Sequence, residues 1–313
     1  MEFSVEEKEE NRRETAGLRD ETRRQGVTPM GTLSISTLPL ASYLNRRYHD
    51  LEATLYIMSL LAGENVVDGF EFQLLAEWNA LYPPLCMDTK YNRVFEWEIS
   101  RKYTVQEIAG KVNKLELNVV SVHANRDIGV CLSSKNRELI QRGEHLIEDA
   151  LCLAEMIHAG ICVFHLWDTW IEDIDHDTIR ETFGEVTSEY PEIKASVENI
   201  PTFEKSVTPY ALADRYRWVT LDTKWALKYR ELAKFRRIRE KIVNVHLRGT
   251  CRKGKWLCGE SVRLFDDLLR KIRDEWQLSD LITLEPDEEL KDIRWKDFTG
   301  GVSVLREHTA RIG

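Results

Sequence analysis

Short apolar runs alternate with amphipathic stretches along most of the chain. The runs have the length of buried strands, and apolar residues recur at helical spacing in the stretches between them. The strand-like runs span residues 31–37, 66–75, 118–125, 161–168, 193–200, 217–223, 242–249 and 281–287. The helical pattern is weakest after the last run, where few apolar positions occur. This alternation predicts parallel strands joined by right-handed crossovers.

The eight repeats predict an α/β fold, a single (β/α)₈ TIM barrel. A closed barrel is favoured because an open sheet of eight strands leaves two edges to cover. The rival is an open doubly wound sheet, which favours a glycine-rich phosphate turn after its first strand. Residues 36–42, "STLPLAS", contain no glycine. Residues 76–104 carry two prolines and many aromatic side chains, which indicates an elaborated loop near the barrel mouth.

The chain length of 313 residues fits one barrel preceded by a short arm. Residues 1–26 mix acidic and basic side chains with almost nothing to bury, so we predict a solvated or frayed helical arm there. The alternative is that this arm makes an oligomer contact, which would make the protein a homo-oligomer. The barrel is predicted over residues 27–313.

Composition narrows the class of protein and its partners. Apolar residues make up 42% and charged residues 31% of the chain, as in soluble globular proteins. The net charge of -9 argues against nucleic acid as a partner, because backbone binding depends on basic residues. Six scattered cysteines without a C-x-x-C pair indicate reduced thiols. The longest apolar stretch is too short for a membrane span and the charged N-terminus is no signal peptide, so we predict a cytoplasmic protein.

Ionisable side chains stand near the ends of six consecutive strand-like runs. They are His123, His165, Glu198, Asp222, His246 and Glu285. In a parallel barrel the carboxyl ends of all strands meet at one mouth, so we expect these groups to converge. Burying several charges without a compensating cation is strongly unfavourable. The pattern predicts a divalent metal ion, with a solvated polar ring without metal as the alternative.

The predicted site combines carboxylate oxygens with imidazole nitrogens, a mixed shell that suits Mn²⁺, Zn²⁺, Mg²⁺ or Co²⁺. The predicted ligands of one ion are Glu198, Asp222, His246 and Glu285. Three roles stay open for His123 and His165. They bind a second metal, donate hydrogen bonds to substrate oxygens, or orient the ligands.

Motifs at these strand ends resemble those of the xylose-isomerase-like barrels. This superfamily comprises sugar isomerases, sugar epimerases and metal-dependent endonucleases that act at abasic sites in DNA. The motifs are, in chain order, "SVHA", "VFH", "SVENIP", "VTLDT", "VNVHLR" and "TLE". The resemblance runs from about residue 31 to residue 290 and implies a barrel fold.

The two branches of the superfamily imply different site chemistry. Resemblance to the ketose 3-epimerases implies that the four predicted ligands hold one metal, usually manganese. It also implies that Glu198 and Glu285 act as acid and base, and that Arg252, six residues beyond His246, contacts the substrate. Resemblance to the endonucleases implies that both early histidines join a three-metal cluster.

The chain departs from the family pattern at three places. Trp225 stands where both branches usually have a histidine, and Arg248 and Gly249 stand where many members have an acid. The endonucleases also need an Asp-x-His pair soon after the seventh strand, and residues 250–261 contain neither Asp nor His. Three metals therefore lack enough ligands.

The leading hypothesis is a metal-dependent isomerase or epimerase acting on a sugar or sugar-phosphate-like hydroxycarbonyl compound. Glu198 and Glu285 would move a proton through an enediolate that the metal stabilises. The predicted substrate contacts are His123, His165, Lys224, Trp225, Arg248 and Arg252. For the tryptophan and the three cations, wall packing or surface solvation is the alternative. The alternative functions are an endonuclease at abasic sites and a non-catalytic barrel.

Overall fold

A computed structural model describes residues 31–85, 92–203, 206–258, 262–279, 281–287 and 289–310. The predicted N-terminal arm, residues 1–26, lies outside the described residues. Its organisation and its oligomer contact therefore stay predictions. The extent of the barrel beyond the described residues, toward residues 27 and 313, also stays a prediction.

Eight parallel strands form a closed barrel, which confirms the predicted fold. Its strands are β1 (Thr32–Ser36), β2 (Gly69–Gln73), β3 (Val119–His123), β4 (Ile161–Phe164), β5 (Lys194–Glu198), β6 (Trp218–Asp222), β7 (Ile242–Arg252) and β9 (Leu281–Pro286). The ring closes because β9 pairs in parallel with both β7 and β1. The open doubly wound sheet is therefore excluded. A short strand, β8 (Lys255–Leu257), lies outside the ring and pairs antiparallel with β7.

Helices cover the outside of the barrel. The α-helices span Leu51–Gly63, Arg93–Ile99, Val105–Lys114, Asp127–Leu132, Arg137–Met156, His176–Thr187, Pro209–Ala213, Thr223–Lys228, Val262–Arg270 and Trp295–Ala310. Shorter turns of 3₁₀-helix span Leu40–Leu44, Ala76–Trp78 and Leu232–Lys241, and Lys271–Glu275 is a π-helical turn. Within the described segments, no helix combines the length and the apolar character needed to cross a bilayer.

Alternation along the strands decides which side chains reach the barrel interior. Successive strand residues point to opposite faces, so Phe70 and Phe72 of β2 pack on one face while Glu71 points to the other. All three are almost fully buried. Glu71 reaches across the barrel to β7, where its carboxylate contacts Asn244 and His246. The same alternation places Asn244, His246 and Arg248 on one face of β7.

The elaborated loop at residues 76–104 is held beside the mouth by buried ion pairs. Glu77 accepts hydrogen bonds from Arg93 Nε at 2.7 Å and from Tyr48 Oη at 2.8 Å. Asp127 lies 3.3 Å from Arg93 Nη1 and 3.2 Å from Arg142 Nη2. The described part of this predicted elaborated loop contains the 3₁₀ turn Ala76–Trp78 and the helix Arg93–Ile99.

Strand β7 is longer than the sequence pattern predicts. It continues to Arg252 and forms a hairpin with β8, whose Trp256 packs against Phe265 and Phe298 of two outer helices. Gly249 permits this close approach, because a Cβ atom there would lie 2.7 Å from the carbonyl oxygen of Leu257. The hairpin extends the strand that carries His246 and Arg248, and so gives both a backbone fixed by neighbouring strands.

Candidate active site

An open cavity of about 590 Å³ lies at the carboxyl ends of the barrel strands. Its lining includes Lys224, Arg248 and Glu285 of the predicted site residues. The cavity also borders the elaborated loop through Glu77, Arg93 and Glu96. A mouth of this size accommodates a small polar molecule, as ligand sites in proteins commonly do.

Glu198 is the central residue of the charged cluster beneath this cavity. It is the last residue of β5 and has no exposed surface. Its Oε2 atom lies 2.8 Å from His165 Nε2 and 3.2 Å from His123 Nε2. The same oxygen lies 3.5 Å from His246 Nδ1. The strand ends therefore bring three predicted histidines to one carboxylate.

His246 lies between the two glutamates predicted to be catalytic. Its Nδ1 atom is 3.5 Å from Glu198 Oε2 and 3.4 Å from Glu285 Oε1. Bonds of about 2.0–2.2 Å from a central ion to nitrogen and oxygen ligands place neighbouring ligand atoms roughly 3–3.6 Å apart. Nδ1 of His246 is buried without a hydrogen-bond partner among the described residues, and one oxygen each of Glu198 and Glu285 faces it. These three side chains fit a divalent cation.

Glu71 belongs to the cluster although the sequence analysis did not identify it. Its Oε2 atom lies 3.0 Å from His246 Nε2 and accepts hydrogen bonds from Ser121 Oγ and Asn244 Nδ2, each at 3.0 Å. The residue is in the middle of β2, whereas the predicted site residues stand near strand ends. An acidic residue between two buried phenylalanines was the signal in the sequence that pointed to an interior position.

Two sets of side chains in the cluster have ligand atoms within 4.8 Å of one another. The first set is Glu71, His123, His246 and Glu285, and the second is His123, His165 and Glu198. Buried glutamates and histidines of this kind can hold a metal ion. The second set keeps open the predicted role of the early histidines as ligands of a second ion.

Asp222, the fourth predicted ligand, makes different contacts. Its Oδ2 atom accepts a hydrogen bond from Arg248 Nε at 2.7 Å. Its Oδ1 atom accepts from the backbone N–H of Lys224 at 2.7 Å and of Trp225 at 3.4 Å, and so caps the helix Thr223–Lys228. Asp222 belongs to neither set of ligand-spaced side chains. The structure therefore brings three of the four predicted ligands together and pairs the fourth with an arginine.

Burial and the neighbouring charges shift the pKa values of the cluster. Burial opposes ionisation of Glu198, but His165, His246 and the hydrogen bonds of the cluster hold its pKa well below its usual value. Burial lowers the pKa of His165 to about 4. Burial also disfavours the protonated form of His246, yet the three surrounding carboxylates raise its pKa well above the usual value. Protonated His246 thus balances part of the negative charge.

The pKa of Asp222 shifts in the opposite direction from that of Glu198. Burial raises the pKa of Asp222 to about 7, although the nearby guanidinium of Arg248 opposes this shift. Burial disfavours the charge of Arg248, but Asp222 and Glu285 raise its pKa well above the usual value. Arg248 therefore stays charged.

The remaining predicted substrate contacts lie at different distances from the cavity. Lys224 borders it and forms an ion pair of 3.4 Å with Asp287. Trp225 packs partly against the core, with Lys228 Nζ 5.0 Å from its ring centre, and is not among the residues that line the cavity. Arg252 ends β7 in an exposed position and is also absent from the lining. The substrate roles of these three residues stay predictions.

No protein-family model and no curated protein sequence matches this chain. Solved structures match it by fold. A sugar phosphate isomerase/epimerase from Parabacteroides distasonis ATCC 8503 aligns with a TM-score of 0.57 at 15% identity, over 91% of this chain and 98% of the other. A D-allulose 3-epimerase from Methylomonas sp., solved with D-allulose, aligns with a TM-score of 0.61 at 11% identity, over 90% and 98%.

The other branch of the superfamily also matches. An AP endonuclease of family 2 from Brucella melitensis aligns with a TM-score of 0.54 at 14% identity, over 85% of this chain and 98% of the other. Identities this low establish a shared architecture, whereas function depends on the site. The predicted resemblance is confirmed at the level of fold, and the chain is a (β/α)₈ barrel of the architecture shared by these isomerases, epimerases and endonucleases.

Proposed function

We propose that the protein is an isomerase or epimerase that moves a proton next to the carbonyl group of a sugar or sugar-phosphate-like compound. The observation that carries this proposal is the position of Glu285. Its Oε1 atom lies 3.4 Å from His246 Nδ1, and the residue also borders the cavity. A carboxylate that contacts both the candidate cation position and the open mouth can accept a proton from a molecule bound there.

The proposal includes one divalent cation held by Glu198, His246 and Glu285. The donor set of two carboxylates and one imidazole favours Mn²⁺, with Zn²⁺, Mg²⁺ and Co²⁺ as alternatives. When bound, such an ion polarises a carbonyl group and stabilises negative charge on the substrate oxygens. Glu71 would orient His246 through its contact at Nε2, as carboxylates do for metal-binding histidines.

The two glutamates have separable roles in the proposed proton transfer. Glu285 borders the cavity, so it accepts the proton from the substrate carbon. Isomerisation needs only this group for the carbon-bound proton, which Glu285 then delivers to the neighbouring carbon while the hydroxyl proton passes to the former carbonyl oxygen. Epimerisation needs a second group on the opposite face, and Glu198 is the carboxylate we propose for it.

The substrate class follows from the size and charge of the mouth. A cavity of about 590 Å³ accommodates a monosaccharide or its phosphate. Lys224 and Arg248 border it and offer donors to hydroxyl, carboxylate or phosphate oxygens. Small polar metabolites of this kind fit the proposed cytoplasmic location.

The test is deuterium incorporation. The protein is incubated with Mn²⁺ in D₂O with a panel of ketoses, aldoses and their phosphates, and proton NMR locates the deuterium. We expect incorporation at a carbon next to the carbonyl group, reduced by about 10²–10⁴-fold in Glu285→Gln. The control Glu181→Gln changes an exposed glutamate on an outer helix and should retain activity. Absence of deuterium from every substrate with a folded, Mn²⁺-loaded protein would contradict the proposal and favour a non-catalytic barrel.

One observation favours a second candidate function, the abasic-site endonuclease. His123, His165 and Glu198 have the spacing of a second metal site, as that hypothesis requires. The missing Asp-x-His pair and the net charge of -9 argue against it. We therefore expect no nicking of an abasic duplex by the metal-loaded protein. Nicking that Glu285→Gln abolishes, with two or more metals per chain, would replace the isomerase proposal.

A further inference from the structure

Glu198 and Glu285 each turn one carboxylate oxygen toward His246 and the other toward Arg248. Glu198 Oε2 and Glu285 Oε1 face His246 Nδ1 at 3.5 Å and 3.4 Å. Glu198 Oε1 and Glu285 Oε2 face Arg248 Nη2 at 3.8 Å and 2.9 Å. The imidazole side of the site is defined by Glu71, His123, His165 and His246, and the guanidinium side by Asp222 and Arg248.

Asp222 has hydrogen-bond donors at both of its oxygens. Arg248 Nε donates a hydrogen bond to Oδ2, and the backbone N–H groups of Lys224 and Trp225 donate to Oδ1. By contrast, His246 Nδ1 is buried and has no hydrogen-bond partner among the described residues, and one oxygen each of Glu198 and Glu285 faces it. An open ligand position therefore lies at His246 Nδ1, whereas both oxygens of Asp222 already accept hydrogen bonds.

Strand register fixes Arg248 in this position. Arg248 pairs with Glu285 across β7 and β9, and His246 pairs with Asp222 across β6 and β7. Arg248 therefore lies two residues beyond His246 on β7. It is directly beside Glu285 of β9 and next to Asp222 of β6. A guanidinium keeps its charge at physiological pH, so Arg248 remains a cation beside Asp222.

We propose that the Arg248 guanidinium occupies Asp222 in place of a metal ion, so that a divalent cation binds on the imidazole side without Asp222. Arg248 is then a positioning residue that prevents Asp222, the predicted fourth ligand, from coordinating the metal. The inference rests on the metal binding in the proposed function and is independent of the reaction. Two effects of Arg248 oppose coordination by Asp222, namely occupation of Oδ2 and repulsion between like charges.

The test measures Mn²⁺ affinity of the metal-free full-length protein, by electron paramagnetic resonance of free Mn²⁺ and by calorimetry. The variants are Arg248→Met, Asp222→Asn and the double variant. We expect Asp222→Asn alone to change the affinity by less than about threefold. Arg248→Met should tighten it by roughly 10- to 100-fold, the usual weight of one interaction in a metal site. Adding Asp222→Asn to Arg248→Met should remove most of that gain.

Matched controls separate the specific effect from charge and folding. Arg46→Met removes the same charge from another arginine at the mouth and should change affinity by less than about twofold. Arg248→Lys keeps the charge but loses the forked hydrogen-bond geometry of the guanidinium. It should therefore raise Mn²⁺ affinity less than Arg248→Met does. It also serves as the second variant if Arg248→Met does not fold.

Three outcomes would overturn the inference. One is a tenfold or greater loss of Mn²⁺ affinity in Asp222→Asn alone, because Asp222 would then already be a ligand. Another is unchanged or weaker binding in both Arg248 variants. The third is a gain that survives in the double variant, because charge removal alone would explain it. Sugar turnover is not measured here, so failure of this inference and failure of the proposed reaction are distinguishable.

Discussion

The imidazole side and the guanidinium side of the site neutralise their carboxylates with different cations. On the imidazole side, Glu71 and Glu198 face ring nitrogens whose charge depends on a proton. On the guanidinium side, Asp222 faces an arginine that keeps its charge. A divalent ion can displace protons from the histidines of the imidazole side. It cannot displace the positive charge of Arg248 on the guanidinium side. In the proposed metal binding, a ligand-type residue is therefore available to the ion only if its neighbours can give up their own charge.

Glu198→Gln should produce the largest effect, because Glu198 joins three histidines and faces both sides. We expect loss of measurable Mn²⁺ binding and a fall in any turnover of about 10³-fold or more. Leaving buried histidines without their carboxylate should also lower stability by about 3–5 kcal/mol. Calorimetric Mn²⁺ titration and urea unfolding measure both. Glu181→Gln is the control, and Mn²⁺ affinity equal to wild type in Glu198→Gln would place the ion elsewhere.

Asp222→Asn should change the pH dependence of stability in the metal-free protein. The folded pKa of Asp222 is about 7, well above its ordinary value, so the folded state keeps a proton that the unfolded state releases. Between about pH 4 and pH 7 this group therefore makes wild type less stable as pH rises, by at most about 1.4 kcal/mol per pH unit.

Removing the carboxyl group removes this dependence. The stability of Asp222→Asn relative to wild type should rise from pH 4 to pH 7, as measured by urea unfolding with EDTA present. His165 contributes with the opposite sign, because its folded pKa of about 4 lies below its ordinary value. It affects both proteins equally, so the difference isolates Asp222. A difference that does not vary with pH would contradict the assignment.

Glu71→Gln should have a smaller effect on the imidazole side. Glutamine keeps the size of the side chain but weakens the contact with His246 Nε2, which lies 3.0 Å from Glu71 Oε2. Loss of such a supporting contact lowers metal affinity by roughly 10- to 100-fold. Mn²⁺ titration checks this value, and the ratio of bound metal to protein should stay the same. A change of less than twofold would show that Glu71 does not orient His246 for the metal.

Lys224→Ala should have the smallest effect. Its ion pair with Asp287 is long, at 3.4 Å, and half of the lysine side chain is exposed. Such pairs contribute about 0–1 kcal/mol, so stability should change by less than about 0.5 kcal/mol. Steady-state kinetics on an active sugar then tests its predicted substrate contact. A rise in KM with constant kcat would support that contact, and unchanged kinetics would indicate a solvated side chain.

The sequence predicted the barrel well because hydrophobic alternation is a local signal. Each of the eight predicted runs contains a barrel strand, since buried parallel strands need continuous apolar residues. The β7 extension was not predicted, because "TCR" and "KWL" carry no apolar alternation and their pairing depends on Gly249. The helix Leu51–Gly63 begins where Asp50 caps it, because the Asp50 side chain accepts a hydrogen bond from the backbone N–H of Ala53.

The site was harder to predict because side-chain pairing depends on register between distant strands. His123, His165, Glu198, His246 and Glu285 were placed together correctly, because parallel strands all end at the mouth. Glu71 was missed because it lies in the middle of its strand. The pairing of Asp222 with Arg248 depends on the offset between β6 and β7, and that offset is invisible in either segment alone.

The central claim is that a metal ion binds beside His246 while Arg248 remains hydrogen-bonded to Asp222. Anomalous X-ray diffraction at the manganese edge from crystals of the Mn²⁺-loaded protein tests it most directly. We predict a single strong peak within bonding distance of His246 Nδ1, Glu198 and Glu285, with the Arg248 to Asp222 hydrogen bond intact. A peak coordinated by Asp222, with the Arg248 side chain turned away, would contradict the account.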